Sequence, residues 1–324
     1  MSAGGDRPLV ELLRGGLREG AHRGSAVLVD PGGRVVRAVG EVDAAMYPRS
    51  SSKPAQAVGM LRAGLDVSGA DLALVAASHN GEPEHAERVR AMLAGAGLDE
   101  SDLGCPADWP MSAAARDRVV AAGGGRARST MNCSGKHAGM LLTCRARGWS
   151  TADYLELAHP LQRGLAEAIA ELSGEDIERA TVDGCGAPLH AISLAGLARM
   201  FSRIAKGGGE LQRVADAMRE HPWWVGGTGR EDTLLMRAVP GLVSKMGAEG
   251  VIALGLPDGR AAAVKIADGA SRARVPAAVA ALRALAADEL PGADRDVLDE
   301  LAEEPVFGGD QRVGTVRALP HLFS

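Results

Sequence analysis

The sequence predicts a mixed α/β (α+β) protein, with one sheet assembled from both ends of the chain and an all-helical lobe inserted between them. Apolar, β-branched runs occur near the N-terminus and again after Pro240, and segments with helical spacing fill most of the region between them. No internal repeat or long linker divides the 324 residues. We therefore expect a single domain of two lobes, a sheet lobe at about 1–65 and 240–324 and a helical lobe at about 66–239.

The N-terminal part predicts a β-hairpin followed by two helices. Strand-like runs at 25–30 and 35–39 flank the turn sequence Pro31-Gly32-Gly33-Arg34. A helix is expected over 51–63. Another is expected over 82–93, where Pro83 suits a first helical turn and the apolar residues fall on one stripe.

The middle of the chain predicts helices, and the last part returns to strands. Helical patterns cover 152–172, with a break at Pro160 and an end at Gly174. The other expected helices are 189–204, 211–219, 232–239 and 272–287. The expected strands are 251–256 and 261–266, joined by a turn, and 313–319.

Composition excludes several classes of function. The chain has 36 Lys and Arg against 41 Asp and Glu, a net charge of −5, so nucleic acid is not expected as a partner. No apolar run reaches the roughly 18 residues of a membrane span, and the first residues lack the apolar core of a signal peptide. We therefore expect a cytoplasmic protein without a membrane partner.

Four cysteines occur in the chain. In a reducing compartment they are expected to be free thiols or metal ligands rather than disulfides. Cys105 and Cys144 are interpreted as buried thiols.

The first candidate site is Ser50-x-x-Lys53, at a predicted helix start. Residues three apart share a helix face, so a neutral Lys53 amine there is placed to take the proton of the Ser50 hydroxyl. The alternative is that the serines around Ser50 only cap the helix.

Two further polar segments are candidates for a pocket. Ser78, His79 and Asn80 precede a helix, where Asn80-Gly81 is equally typical of a plain loop. Residues 132–139 place a thiol, a hydroxyl, an amine and an imidazole close together, but they lack the glycine spacing of a phosphate-binding loop.

Cys185 lies between two glycines, which permit a close backbone approach. It is interpreted either as a small buried hydrophobe or, with Cys133, as a thiolate pair for a soft metal such as zinc.

Two lysines lie in the C-terminal strand region. Lys265 should point to the opposite sheet face from Val264 and Ile266, where it is either solvated or faces a cleft. Ser244-Lys245-Met246-Gly247 loosely matches the Lys-Thr-Gly element of penicillin-recognising enzymes.

Taken in order, these motifs resemble the rhizobial-type (class 3) L-asparaginases, the asparaginase II-like family. The resemblance runs from about residue 24 to 269, and its specific part is Cys-Ser-Gly-Lys-His and Asp-Gly-Cys-Gly. It implies a fold like that of serine β-lactamases and glutaminases, hydrolysis of L-asparagine to L-aspartate and ammonia, and a homodimer.

The resemblance also implies the site residues. Two Ser-Lys tandems are expected, Ser50 with Lys53 and Ser78 with Lys265. A zinc ion is expected on Cys133, Lys136 and Cys185. The residues expected to line the substrate site are Arg49, Asn80, His137 and Asp183.

These expectations predict a serine mechanism. Ser50 attacks the side-chain amide with Lys53 as base, and backbone N–H groups near Ser50 stabilise the oxyanion. One rival is another Ser-x-x-Lys hydrolase acting on glutamine, β-lactams or peptides. The other is a non-catalytic zinc-binding module.

Overall fold

The structure, a computed structural model, describes residues 5–286 and 290–323. None of the helices in these residues is long and apolar enough to cross a membrane.

Strands are concentrated towards the two ends of the chain, and helices fill most of the part between. The strands are β1 (Arg7–Arg14), β2 (Leu17–Val29), β3 (Val35–Val39), β4 (Ala45–Met46), β5 (Ala180–Val182), β6 (Pro188–His190), β7 (Ile192–Ser193), β8 (Val243–Gly247), β9 (Val251–Gly255), β10 (Ala261–Ile266), β11 (Glu303–Gly308) and β12 (Gln311–Ala318). The α-helices are α1 (Lys53–Arg62), α2 (Gly69–Val75), α3 (Pro83–Gly95), α4 (Ala113–Ala121), α5 (Ser134–Arg147), α6 (Pro160–Ser173), α7 (Leu194–Lys206), α8 (Glu210–Glu220), α9 (Pro222–Val225), α10 (Glu231–Ala238), α11 (Ser271–Ala286) and α12 (Arg295–Leu301). Two short 3₁₀-helices are Arg49–Ser52 and Glu100–Asp102.

One antiparallel sheet joins the two ends of the chain. Its strand order is β11-β12-β1-β2-β10-β9-β8, and β3 pairs with the second half of β2. The register places Lys265 of β10 opposite Ser25 of β2 and Val251 of β9. The N-terminal strands therefore lie between strands from the C-terminal third, as the sequence predicted.

The sheet is covered on both faces. Alternate residues of β10 separate into two buried clusters: Ala261 and Ala263 pack with α7 and the helices of the middle region, whereas Ala262 and Val264 pack with α11. This separation follows from the two-residue period of a strand. Lys245 and Lys265 lie on the α7 side, in register with Ala253 and next to Ala263.

Most predicted elements are confirmed, but several begin or end at residues other than those predicted. The helix expected over 152–172 begins only at Pro160, because proline lacks the N–H that a helix interior requires. Gly174 ends it in the left-handed region with φ of 72°, as expected. The helix expected from residue 189 begins at Leu194, since 188–190 and 192–193 form short strands. Residue 287, the expected end of α11, lies outside the described residues.

Candidate active site

Ser50 lies in the 3₁₀-helix just before α1. The preceding Arg49 has φ of 53°, a backbone conformation that is strained for a residue with a side chain. The hydroxyls of Ser51 and Ser52 donate to the carbonyls of Pro48 and Arg49 at 2.6 and 2.9 Å and hold this turn. Within the described part of the chain the half-buried Ser50 hydroxyl makes no hydrogen bond. It is therefore available to a substrate.

The buried Lys53 amine binds Ser78 rather than Ser50. Its Nζ donates to the Ser78 hydroxyl oxygen at 2.9 Å, to the Ala77 carbonyl at 2.5 Å and to the Cys133 sulfur at 3.1 Å. Lys53 and Ser78 are 1% and 3% exposed. The structure thus brings together three of the predicted residues, but in a different pairing.

Two cysteines, a lysine and a histidine meet beside this pair. Cys133 lies directly before α5, and the Lys136 amine donates to the Cys185 sulfur at 3.2 Å. Gly135 allows α5 to lie against α2, since a Cβ there would be 2.3 Å from the Leu74 carbonyl oxygen. The glycine of this motif therefore positions Cys133 and Lys136.

The group formed by Cys133, Cys185, Lys136 and His137, called the sulfur cluster below, contains two thiols whose pKa values are shifted in opposite directions. A hydrogen bond from the Cys133 thiol, aided by the Lys136 ammonium and His137 and opposed by burial, lowers the pKa of Cys185. The same hydrogen bond raises the pKa of Cys133. Burial opposes the charge of Lys136, but the two sulfurs outweigh it and raise its pKa. Cys185 is therefore the more acidic of the two thiols.

His137 faces the cluster from α5. It is fully buried, and burial lowers its pKa, so the imidazole is neutral. Its Nδ1 lies 2.7 Å from the Tyr154 hydroxyl, whereas Nε2 has no hydrogen-bond partner among the described residues. No sequence pattern predicted the contact with Tyr154.

The donor set of this cluster fits a zinc ion if Lys136 takes part. Zinc prefers sulfur and nitrogen ligands, and the cluster supplies two sulfurs and an amine in a buried position. Within residues 5–286 and 290–323, no three His, Cys, Asp or Glu side chains are placed to hold a metal ion. The Lys136 nitrogen is therefore needed as the third donor, and its ammonium would have to lose a proton for the amine to bind the ion.

Arg49 links two parts of the structure by ion pairs. Its Nε donates to Asp183 Oδ1 at 2.7 Å, and Nη1 lies 3.6 Å from Glu249. Asp183 belongs to the loop that carries Cys185, and Glu249 lies in the turn between β8 and β9. Two of the predicted substrate residues thus meet directly before Ser50.

Asn80 is the predicted substrate residue with the most occupied side chain. Its Nδ2 donates to Glu82 and to the Thr228 carbonyl, both at 3.0 Å, and Oδ1 accepts from Arg230 at 3.1 Å. The contacts with Thr228 and Arg230 tie the segment after Ser78 to the loop before α10. In this arrangement Asn80 supports the site rather than facing a substrate.

Among the described residues Lys265 makes no hydrogen bond to Ser78, whose partner is Lys53, so the second expected tandem stays a prediction. Lys265 lies at the open end of β10, where its amine donates to the Ile266 carbonyl. There it lines a surface pocket of about 460 Å³ with Arg49, Tyr47 and Glu249. Burial lowers the pKa of Lys265, opposed by the nearby carboxylates. Strand alternation gave its sheet face correctly but not its distance from Ser78.

Lys245, which the sequence indicated only through a loose match to a Lys-Thr-Gly element, was not among the predicted site residues. It is fully buried on β8 and donates to Asp232 Oδ2 at 3.1 Å and to the Met246 carbonyl at 2.9 Å. Gly247 shares its strand face, and a Cβ there would lie 2.5 Å from the Pro48 carbonyl oxygen. Lys245 therefore leaves the strand on the side of the 3₁₀-helix that carries Ser50.

The pKa of Lys245 is lowered to about 8. Burial is the largest cause, and the positive charges of Lys53 and Arg230 add to it, whereas Asp232 opposes the shift. An amine with such a pKa is partly neutral near physiological pH and suits a general base.

A sequence signal for Lys245 did exist. The chain has five lysines among its 36 basic residues, Lys53, Lys136, Lys206, Lys245 and Lys265. Three of the five are 2% exposed or less. Where arginine serves nearly every other basic position, lysine marks the sites at which an amine is required.

The model of the L-asparaginase II family matches residues 10–318. The chain belongs to the L-asparaginase II family. This L-asparaginase II family member is accordingly an amidohydrolase that acts on a small-molecule substrate.

Solved structures similar to this L-asparaginase II family member are distant ones. A β-lactamase from Mycobacterium bovis is 18% identical with a TM-score of 0.44, covering 86% of this chain and 95% of its own. A protein named Mglu, in its native form, is 17% identical with a TM-score of 0.44 over 82% of this chain. The alignment spans 64% of Mglu, less than two thirds of its length. No curated protein matches the chain.

Proposed function

We propose that this protein hydrolyses L-asparagine to L-aspartate and ammonia with a serine nucleophile and lysine bases. The observation that carries the proposal is the buried hydrogen bond between Lys53 and Ser78. Ser50 lies one 3₁₀ turn before Lys53, and a second buried lysine, Lys245, lies on the nearby strand β8. Family membership supports the amide as the substrate bond.

The charged ends of asparagine find complementary groups beside Ser50. Arg49 offers a planar set of donors for the α-carboxylate, and Asp183 an acceptor for the α-ammonium group. These two side chains pair with each other without substrate, so binding exchanges one ion pair for two. The pocket lined by Arg49, Glu249 and Lys265 is the proposed entrance.

Ser50 is the proposed nucleophile because its hydroxyl is uncommitted and half-exposed, whereas Ser78 is buried and held by Lys53. Ser50 Oγ attacks the side-chain amide carbon of asparagine. Backbone N–H groups at the start of the 3₁₀-helix stabilise the oxyanion.

Lys245 is the proposed base. Its neutral amine accepts the Ser50 proton, and the resulting ammonium donates that proton to the departing nitrogen, which leaves as ammonia. Lys245 then takes a proton from water, which attacks the aspartyl ester and releases aspartate, and the proton returns to Ser50. The Lys53 amine and the Ser78 hydroxyl stay hydrogen-bonded to each other beside Ser50 while these protons move.

A zinc ion on Cys133, Lys136 and Cys185 is part of the proposal. When bound there it supplies a positive centre that orients one end of the substrate. His137, with its unpartnered Nε2, faces the same cluster. We also propose a homodimer in the cytoplasm, as the sequence resemblance implies.

The test measures ammonia release from L-asparagine and L-glutamine, and the colour change on ring opening of a chromogenic β-lactam, for the wild type, Ser50→Ala and Ser78→Ala. Release from asparagine that is lost in Ser50→Ala supports the proposal. Release that persists in Ser50→Ala would indicate that the nucleophile is Ser78 or a metal-bound water instead of Ser50. Turnover of only glutamine or the β-lactam moves the activity to the rival hydrolase.

A further inference from the structure

Asp232 makes an unusual set of contacts for a buried carboxylate. It is the second residue of α10 and is 1% exposed. Its oxygens accept from the Ser244 hydroxyl at 2.9 Å, from the Lys245 amine at 3.1 Å and from the Met246 backbone N–H at 2.9 and 3.1 Å. One side chain thus binds three consecutive residues of β8.

These contacts fix the orientation of the Lys245 amine. A neutral amine has two N–H bonds and one lone pair. Asp232 Oδ2 and the Met246 carbonyl occupy two of the three positions around Nζ. The remaining position holds the lone pair of the neutral amine or the third proton of the ammonium, so proton transfer is confined to one direction.

The charges around Lys245 make Asp232 the balancing group. Lys53 on α1 and Arg230 before α10 are both positive and act with burial against a charged Lys245. Asp232 is the negative group that opposes them, and its own pKa is lowered: Lys245 and the Met246 N–H outweigh the effect of burial. Arg230 is itself paired with Glu231 at 3.2 Å.

A purely structural role does not account well for this carboxylate. A buried ion pair contributes little net stability, because desolvation of both charges offsets their attraction. The Ser244 and Met246 contacts alone would attach α10 to β8 through a neutral acceptor. The negative charge is required only where the lysine is.

We propose that Asp232 is a positioning residue for Lys245, which aims its amine and keeps it protonatable near neutral pH. This inference rests on the proposed function, since it takes Lys245 as the base. The amine needs both forms in turn, neutral to accept the Ser50 proton and charged to protonate the leaving nitrogen.

The test follows the lysine directly by NMR. With only five lysines, a sample labelled with ¹³C-lysine gives five Cε signals, and the Lys245→Met variant assigns the relevant one. In the wild type this signal should titrate with a midpoint of about 8. In Asp232→Asn, loss of the negative charge should move the midpoint to lower pH by about 1 unit or more.

The kinetic arm uses the same variants. In the wild type kcat/KM for asparagine should rise with pH as Lys245 loses its proton. In Asp232→Asn the midpoint of this rise should move to lower pH together with the NMR midpoint. Ser244→Ala is the matched control, because it removes one hydrogen bond to Asp232 and keeps its charge; both midpoints should stay at the wild-type pH.

The outcomes separate the two proposals. An unmoved NMR midpoint in Asp232→Asn, or an equal movement in Ser244→Ala, overturns the role of Asp232. A moved NMR midpoint with an unmoved kinetic limb also overturns it, since Lys245 is then not the base. Absence of ammonia release by the wild type overturns the proposed function instead. If Asp232→Asn does not fold, Asp232→Ser removes the same charge with a smaller side chain and is judged by the same midpoints.

Discussion

Lys53 Nζ lies 2.9 Å from Ser78 Oγ and 3.1 Å from the Cys133 sulfur, so one buried amine joins a serine to the sulfur cluster. The two acceptors come from separate parts of the chain, Ser78 after α2 and Cys133 directly before α5. The close contact of Gly135 with Leu74 holds those helices together. The serine–lysine contact and the proposed zinc ligands therefore form one connected unit.

Ser78→Ala should lower kcat by about 10-fold or more with little change in KM, because it removes the hydrogen bond that holds the Lys53 amine beside Ser50 and does not touch the substrate. Steady-state ammonia release gives both constants. Ser202→Ala is the matched control. It removes another buried serine hydroxyl, that of Ser202 on α7, which donates to the Gly259 carbonyl at 2.5 Å, and it should leave kcat unchanged. Equal effects in the two variants would contradict a role for Ser78 in the reaction.

Arg49→Lys should raise KM for asparagine by about 10-fold or more, with a smaller effect on kcat, because lysine cannot offer the planar pair of donors. Arg49 also adopts φ of 53°, which lysine would share, so strain is the same in both proteins. Glu249→Gln serves as the control, since Glu249 is 66% exposed and its ion pair is weak. A similar KM increase in Glu249→Gln would instead assign the effect to the ion-pair network.

Sequence patterns predicted the sheet and most helices because those elements depend on local spacing. The hairpin of β2 and β3, the helix α3 and the strand pair β9–β10 each carry an alternating or a 3.6-residue pattern that is visible within a short stretch of sequence. The strands β1, β8 and β11 and the short strands near 180–193 were not predicted. β8 pairs with the adjacent β9, but its sequence Val-Ser-Lys-Met-Gly is not an apolar, β-branched run. The strands near 180–193 are only two or three residues long.

The site shows the same limit. The Ser-x-x-Lys spacing singled out Ser50 and Lys53, the polar and glycine-flanked runs singled out the two cysteines, and the family resemblance singled out Ser78. The partner of Ser78 could not be predicted, since the contact with Lys53 spans 25 residues and depends on how α1 packs near residue 78. Asp232 gave no signal, because a single aspartate near a helix start is most often a cap.

Cys185→Ser should reduce zinc bound per chain, and KM should rise more than kcat falls if the metal orients the substrate. Metal content by mass spectrometry and steady-state kinetics on the same samples measure both. Cys144→Ser is the control: this buried thiol lies on α5 outside the cluster, and burial raises its pKa to about 11. Unchanged zinc content in Cys185→Ser would contradict the proposed ligand set. A fall in kcat without a rise in KM would instead indicate a metal that acts in the chemical step.

The pH dependence of the wild type should follow Lys245. Burial first, and then the charges of Lys53 and Arg230, lower its pKa to about 8, so the neutral base is scarce below that pH and predominant above it. We expect kcat/KM for asparagine to rise with pH and level off above the midpoint, since kcat/KM reports the free enzyme. Lys245→Arg keeps a positive charge that cannot be lost, so it should abolish this limb together with nearly all activity. Lys265→Arg is the matched control, because Lys265 donates only to the Ile266 carbonyl at the edge of the entrance pocket, and it should retain the wild-type midpoint. A pH dependence that survives in Lys245→Arg and disappears in Lys265→Arg would instead make Lys265 the base.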